Sequence, residues 1–246
     1  MLLSVSWLSV AVAEVVTIRA DEWFPFNGKP DSDRPGYMIE LAEMILKEHG
    51  HTVDYQVLPW LGSLAMVEKG AFDCVVGTDK VEARNFIFAE EPWGKIKSTF
   101  YVDAEDQWQY DGLGSLDHRV LGVIGSYSYG DKMDRYIDQH KNSNVQIVNA
   151  NNALRQNIGK LKGKFIDTVL AFDLVMEAKL RDLGLSNQIQ AAGDLEQADY
   201  IYIACSPEKR SSRQYADYFS KGIIEMRING KLKTLLDKYG IKDWDE

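Results

Sequence analysis

The residues best suited to contact a small molecule lie in loops that follow short apolar runs of the sequence. Trp23 comes after the apolar run 15–18, and Trp60 comes after a second run, 52–58. Gly77 ends a third run, 73–77, and Thr78 follows it. An indole ring can stack on a ligand, a glycine lets a ligand approach the backbone, and a threonine hydroxyl group can form a hydrogen bond. We therefore predict ligand contacts at all four residues, with packing in the core as the alternative for Trp23 and packing at the edge of a lobe as the alternative for Trp60.

Arg84 is a candidate clamp for a ligand carboxylate, because it lies in the same loop as Gly77. A guanidinium group offers parallel N–H donors that match the two oxygens of a carboxylate, and a lysine does not. The alternative is an ion pair at the surface with one of the nearby acidic residues, Glu82, Glu90 and Glu91.

A candidate anion site lies at 125–130, a segment of glycine, serine and tyrosine. Backbone N–H groups at the start of a helix bind anions. The segment has neither the Gly-Lys-Ser/Thr ending of a Walker loop nor the glycine spacing of a dinucleotide-binding loop, so it favours a carboxylate, with Ser126 and Tyr127 as the predicted contacts. Asp173 follows the apolar run 168–171 and could hold an ammonium group or cap the next helix.

These loops belong to an order of elements that occurs twice. Strand, helix, strand, helix and strand are predicted in turn over 15–77 and again over 120–171. Strands that alternate with helices form parallel sheets with right-handed crossovers, so the two repeats predict two α/β lobes. Small molecules bind beyond the carboxyl ends of such strands and at domain interfaces. A ligand cleft is therefore expected between the lobes.

Two further apolar segments predict how the lobes are joined. Extended runs at 96–102 and 200–205 would cross between the lobes, and the helical segment after the second crossing would pack on the first lobe. Lobe 1 would then comprise residues 14–102 and 200–246, and lobe 2 residues 103–199. Two extended crossings form a hinge, which allows the lobes to close around a ligand.

The composition and the start of the chain narrow the class of protein. A net charge of −9 argues against nucleic acid as a partner, because nucleic acid requires a basic surface. Residues 1–13 form an apolar segment ending in Ala11-Val12-Ala13, which is typical of a secretory signal peptide, although the usual positive charge is absent. We expect an exported chain; the alternative is that this segment is a strand.

Cys74 and Cys205, the two cysteines of the chain, both lie in apolar runs. Free cysteine is among the most buried residue types, so we expect two buried thiols, with a disulfide across neighbouring strands as the alternative. Neither cysteine has a histidine or a second cysteine at the spacing of a metal site, and no metal is expected.

Residues that could perform catalysis are sparse. The four histidines lie in polar loops or at the ends of predicted helices, and none is placed beside a candidate nucleophile. The chain also has no Gly-x-Ser-x-Gly motif. The sequence therefore favours binding over catalysis, and we expect no catalytic residue and no cofactor.

Short motifs in a fixed order carry a resemblance to a known family. Over nearly all of residues 15–244, the chain resembles the family 3 extracellular solute-binding proteins of ABC importers, the polar amino acid-binding group. The matching segments are Trp23-Phe24-Pro25-Phe26, 35–42, Gly70-Ala71-Phe72-Asp73, 86–93, 121–126 and Lys238-Tyr239-Gly240-Ile241. Each motif alone is weak, but their order and spacing are specific.

The resemblance implies a periplasmic-binding-protein-like fold, with two α/β lobes joined by a two-strand hinge and the ligand cleft between them. It implies a periplasmic monomer that delivers a small polar solute, an amino acid or a related carboxylate, to the membrane permease of an ABC importer. By resemblance, Trp23 stacks on the ligand and Asp173 holds its ammonium group. Arg84 holds the ligand carboxylate, with help from Ser126 and Tyr127.

Three positions depart from the family pattern. Asp79 stands where the family often has a small hydroxyl residue, and it would repel a carboxylate. Tyr127 replaces a threonine, and Phe172 aligns with the ammonium-binding position. Two alternatives stay open: a ligand-sensing module, and a dehydratase or lyase on the same fold with Asp79, Glu82 or Asp173 as its general acid.

Overall fold

The computed structural model describes residues 14–150 and 152–245, and the predicted signal peptide, residues 1–13, lies outside the described residues. The strands are β1 (Val15–Ala20), β2 (Thr52–Val57), β3 (Cys74–Thr78), β4 (Ile87–Phe88), β5 (Gly94–Asp103), β6 (Leu121–Ile124), β7 (Val145–Val148), β8 (Thr168–Phe172) and β9 (Ile189–Cys205). The helices are α1 (Tyr37–Glu48), α2 (Trp60–Glu68), α3 (Asp131–His140), α4 (Ala153–Lys162), α5 (Asp173–Leu183), α6 (Ser212–Ile228) and α7 (Lys231–Tyr239), with a short 3-10 helix at Leu113–Leu116.

The strands form one sheet with the order β2-β1-β3-β9-β5-β8-β6-β7, and β4 pairs with β9. β1 runs parallel to β2 and β3, and β6 runs parallel to β7 and β8. We call β1, β2 and β3, with the loops and helices that follow them, the first half of the sheet. The second half is β6, β7 and β8 with the loops and helices that follow them. Between them, β5 and β9 run antiparallel to each other and to their other neighbours. The predicted α/β fold, with two repeated units and two crossing strands, is confirmed.

The second crossing strand is longer than the sequence indicates, because β9 begins at Ile189 rather than at residue 200. The added part is polar and has little strand propensity of its own. Pairing with β5 stabilises this part as a strand. Asp194 lies opposite Thr99 and accepts a 2.6 Å hydrogen bond from the Thr99 hydroxyl group. Its carboxylate also lies 2.8 Å from Lys97 Nζ. β9 therefore runs unbroken through the predicted boundary between residues 199 and 200, and the lobe boundaries stay a prediction.

The C-terminal helices pack beside the first half of the sheet, as expected for a chain that returns there after β9. α6 and α7 both contact α1. Their apolar faces supply buried residues to the core, among them Phe219 and Ile223 of α6 and Leu232 and Leu236 of α7. This packing holds α1 in place, and α1 in turn supports a loop of the cavity described below.

Cys74 and Cys205 form a disulfide, so the expectation of two free thiols is wrong. The two residues lie directly opposite each other on the antiparallel strands β3 and β9. The two cysteines are 131 residues apart in the chain. The sequence alone does not indicate that they pair, because the pairing depends on β9 returning beside β3. Both side chains are buried in the core.

Within residues 14–150 and 152–245, no helix has the length and apolar character needed to cross a membrane. The same part of the chain contains no group of three His, Cys, Asp or Glu side chains placed to hold a metal ion.

Candidate ligand-binding site

A cavity lies between the two halves of the sheet and is partly open to solvent. The first half contributes Asp21, Trp23, Trp60, Val76, Gly77, Asp79 and Glu82, the second half contributes Tyr127, Ser128 and Phe172, and the crossing strands contribute Ile96 and Ile201. Most of these residues follow or end a parallel strand, which is where ligands of open α/β sheets bind.

The loop that carries Trp23 is anchored to the start of α1. The first N–H groups of a helix have no acceptor within the helix, and the N–H group of Met38 donates instead to the carbonyl oxygen of Phe26 at 2.9 Å. The close approach requires the glycine before the helix, because a Cβ atom at Gly36 would lie 2.5 Å from that same carbonyl oxygen. The start of α1 therefore fixes the position of the loop that carries Trp23.

Trp23 forms one wall of the cavity and is only 7% exposed. Its ring stacks on Phe26, with the ring centroids 4.5 Å apart. The indole also lies against Gly77, where a Cβ atom would come within 3.1 Å of the ring and where φ is +84°, a value that favours glycine. Phe172, from the second half, meets Trp23 edge-on with the centroids 5.1 Å apart. The two halves thus touch through aromatic rings.

Glu82 lies at the centre of a second wall, where neutral groups bind both of its carboxylate oxygens. Trp60 Nε1 donates to Oε1 at 2.7 Å, and the hydroxyl group of Thr78 donates to Oε2 at 3.2 Å. The side chain of Asp79 forms hydrogen bonds within the same loop. Its Oδ1 accepts from the backbone N–H groups of Val81 and Glu82, at 2.6 and 2.9 Å.

Tyr127 links the two halves by a hydrogen bond. Its hydroxyl group, from the loop after β6, donates to Asp21 Oδ2, from the loop after β1, at 2.7 Å. The Tyr127 ring lies 5.9 Å from that of Phe172, centroid to centroid, within the second half. The side chain therefore spans the cavity from one wall to the other.

The loop before α3, predicted as an anion site, has a carboxylate of the protein itself bound to it. The Ser128 hydroxyl group donates to Asp134 Oδ2 at 2.7 Å, and the backbone N–H group of Tyr129 donates to Asp134 Oδ1 at 2.8 Å. Asp134 belongs to the first turn of α3. A carboxylate at the start of a helix is favourable for the reason that a bound anion would be, and here α3 supplies it.

The cavity is acidic. Burial raises the pKa of Asp21, and the hydrogen bond from Tyr127 lowers it by less. Burial likewise raises the pKa of Glu82, the hydrogen bonds from Trp60 and Thr78 lower it, and the charge of Asp79 raises it. The residue as a whole is exposed. Among the described residues that line the cavity, none is Lys, Arg or His.

Of the predicted ligand contacts, the structure brings Trp23, Trp60, Gly77 and Tyr127 to the cavity wall. The other predicted residues are not among those that line it: Thr78, Arg84, Ser126 and Asp173. Ligand contact at each of these positions stays a prediction, since the structure contains no ligand.

The residues outside the lining have identifiable roles or positions. Thr78 is fully buried behind the carboxylate that it binds. Arg84 is exposed, and its Nε atom donates to the backbone carbonyl group three residues earlier at 3.0 Å. Ser126 is exposed with a φ of +70°. Asp173 lies in the first turn of α5 and accepts the next backbone N–H group at 2.8 Å, and burial raises its pKa.

Sequence reasoning missed Asp21 as a cavity residue. It is the first residue after β1, so the rule that selected Trp23 would also have selected it. Asp79, Glu82 and Phe172 drew attention in the sequence, but as departures from a family pattern or as catalytic alternatives. The structure makes all of them part of the cavity wall.

The model of the bacterial extracellular solute-binding proteins, family 3, matches residues 15–242. The chain belongs to this family. The cavity between the two halves of this family 3 protein therefore lies in a fold of solute-binding proteins, and the resemblance read from the motifs is confirmed.

Similar proteins extend over almost the whole of this family 3 chain. A probable histidine-binding protein of Campylobacter jejuni is 23% identical over 226 residues, which are 91% of this chain and 83% of the relative. The arginine-, lysine- and histidine-binding protein ArtJ of Geobacillus stearothermophilus is 13% identical, with a TM-score of 0.74 over 94% of this chain and 96% of that one.

A histidine kinase sensor domain with similarity to periplasmic binding proteins is 16% identical, with a TM-score of 0.75 over 94% of this chain and 98% of that one. At such identities the solved structures establish a shared fold, and the fold serves both a binding protein and a sensor domain.

Proposed function

We propose that this chain is the exported, monomeric solute-binding component of an ABC importer, and that it binds a small polar solute without chemical turnover. The observation that carries the proposal is the composition of the cavity wall. Trp23 and Trp60 come from the first half of the sheet, and Tyr127 and Phe172 come from the second. A solute in this position contacts both halves at once.

Contact with both halves is what would couple binding to closure. A ligand shifts an equilibrium between open and closed forms by as much as its affinity differs between them. The two crossing strands, β5 and β9, are the connections about which such a closure would turn. A membrane permease would then recognise the closed form, in which the two halves have a fixed relative position.

The disulfide supports an exported protein. Disulfides persist in oxidising compartments such as the periplasm and are rare in the cytosol. Cys74 and Cys205 pair in the core of the chain, and this pairing fits the apolar segment at residues 1–13, which has the composition of a secretory signal.

A thermal-shift screen of the chain from residue 14 onward tests binding. The panel comprises amino acids, amines, dicarboxylates and short sugars. A solute at 100 times its dissociation constant stabilises the folded state by about 2.7 kcal/mol. We expect at least one solute to raise the melting temperature and to be recovered unchanged, by mass spectrometry, after prolonged incubation. Conversion of the solute would favour the enzyme alternative.

Uptake by cells then separates transport from sensing. Cells that lack the gene for this chain should lose uptake of the radiolabelled solute, and a plasmid copy should restore it. Undiminished uptake, together with tight binding in the screen, would contradict a role in import and favour a ligand-sensing module.

A further inference from the structure

We propose that the solute is an organic cation without a carboxylate group, such as an amine or a guanidine, and that the cavity disfavours amino acids. This inference rests on the proposed function, because it concerns the ligand of the same cavity. Three properties of the cavity carry it: its charge, its aromatic walls, and the state of the groups that would otherwise hold a carboxylate.

The cavity contains negative charge without a compensating cation. Asp21, Asp79 and Glu82 line it, and none of the described lining residues is basic. The partners of Asp21 and Glu82 are neutral donors, namely the phenol of Tyr127, the indole of Trp60 and a threonine hydroxyl group. A carboxylate that is partly withdrawn from water, as that of Asp21 is, is stabilised when a charge of opposite sign neutralises it. A positively charged solute would supply that charge.

The aromatic walls fit the same ligand. The rings of Trp23, Trp60, Tyr127 and Phe172 line the same cavity as the carboxylates. A cation over the face of an aromatic ring is attracted by the negative charge of that face, and tryptophan is the best of the three ring types.

The groups that could hold a ligand carboxylate already donate to acceptors of the protein. In the first half, the N–H groups of residues 81 and 82 donate to Asp79. In the second half, the Ser128 hydroxyl group and the N–H group of Tyr129 donate to Asp134. Arg84 is exposed and donates to a backbone carbonyl group. A ligand carboxylate would have to displace a protein carboxylate and lie beside negative charges.

Pairs of compounds that differ by one carboxylate group test the inference. The probes are agmatine with arginine, cadaverine with lysine, and histamine with histidine, each titrated into the chain from residue 14 onward by calorimetry at pH 7. We expect at least one amine to bind, and to bind at least tenfold more tightly than its parent amino acid.

Variants of the lining residues assign the preference to the cavity. Asp21→Asn and Glu82→Gln keep the size of the side chain and remove its charge, and each should weaken binding of the preferred amine at least tenfold. Glu22→Gln is the matched control, because Glu22 adjoins Asp21 in sequence but is exposed and does not line the cavity. The control should leave the affinity within about twofold of the wild-type value, a difference of about 0.4 kcal/mol.

The outcomes distinguish the inference from the proposed function. An amino acid that binds as tightly as its amine, or more tightly, overturns the inference and leaves a solute-binding protein. Binding of a sugar or a dicarboxylate with no response to any amine does the same. An amine whose affinity is unchanged in both Asp21→Asn and Glu82→Gln also overturns the inference. The absence of any binding, to these probes and to the wider panel, contradicts the inference and the proposed function together.

Discussion

The hydroxyl group of Tyr127 donates a 2.7 Å hydrogen bond to the carboxylate of Asp21, and this bond joins the two halves of the sheet across the cavity. Asp21 lies directly after β1 and Tyr127 in the loop after β6, so the two residues belong to different parallel sets. A hydrogen bond to a charged group contributes about 1.5–3 kcal/mol. The contact therefore favours the arrangement of the two halves that the structure shows.

Tyr127→Phe should open the protein in solution. Loss of a bond of this strength would change the ratio of closed to open forms by about tenfold or more, since 1.4 kcal/mol corresponds to a factor of ten. The measurement is the radius of gyration by small-angle X-ray scattering, which should increase in the variant. Tyr129→Phe is the matched control, because the hydroxyl group of Tyr129 bonds within the second half, to the N–H group of Ile124. Equal radii for both variants would contradict this account of Tyr127.

Stability should depend on pH through Asp21 and Glu82. Because burial raises the pKa of both carboxyl groups in the folded state, the folded protein binds more protons than the unfolded chain just above their usual pKa values. Stability from these two groups therefore increases as the pH falls from neutral through that range and decreases as the pH rises. Relative to a variant carrying both Asp21→Asn and Glu82→Gln, the wild-type protein should gain in melting temperature between pH 7 and pH 4.

The raised pKa values of Asp21 and Glu82 predict a second result for the variant that carries both substitutions. Without these two charges it should melt at a higher temperature than the wild-type protein at pH 7, even though it binds solute less well. Melting curves at pH 7, 6, 5 and 4 measure both effects. A difference in melting temperature that does not vary with pH would contradict a raised pKa of these two carboxyl groups in the folded state.

Gly77→Ala should damage the wall that Trp23 forms. A residue with a Cβ atom at positive φ costs about 1–2 kcal/mol, and here the added atom would also press on the indole ring at 3.1 Å. Unfolding in guanidinium chloride should show the loss of stability, and calorimetry should show weaker solute binding. Gly62→Ala is the control, since nothing lies within 4 Å of an added Cβ atom there and the residue belongs to α2. The control should gain stability, and an equal loss in both variants would contradict the prediction.

Removal of the disulfide should destabilise the fold substantially. A variant with both Cys74→Ala and Cys205→Ala should lose about 2–5 kcal/mol in its free energy of unfolding, because the bond closes a long loop and constrains the unfolded chain. Urea unfolding with and without a reducing agent provides the measurement. The reducing agent should lower the midpoint of the wild-type protein and leave the variant unchanged. A wild-type midpoint insensitive to complete reduction would argue against a stabilising role.

The repeated order of strands and helices was predictable because it depends on local periodicity. α1 and β3, for example, follow from apolar spacing and from the glycines beside them. β9 was only partly predictable, since residues such as Asp194 become part of a strand through pairing with Thr99 of β5. The disulfide between Cys74 and Cys205 depends on the same long-range pairing.

The walls of the cavity were predictable to the extent that position after a strand decides them. Trp23 and Tyr127 follow that rule, and so does Asp21, although an acidic residue in a loop gives no special signal. Arg84 also follows a strand, yet it is not among the residues that line the cavity. Its place in the loop suggested a carboxylate clamp, but the direction of its side chain depends on local hydrogen bonds that the sequence does not display.

The most direct test of the account is a crystal structure of the chain grown with the solute that stabilises it most. The account predicts that the solute lies between the two halves, in contact with Trp23 or Trp60 from the first half and with Tyr127 or Phe172 from the second. A solute bound elsewhere on the chain, or held by residues of one half alone, would contradict the claim that the two halves close on their ligand.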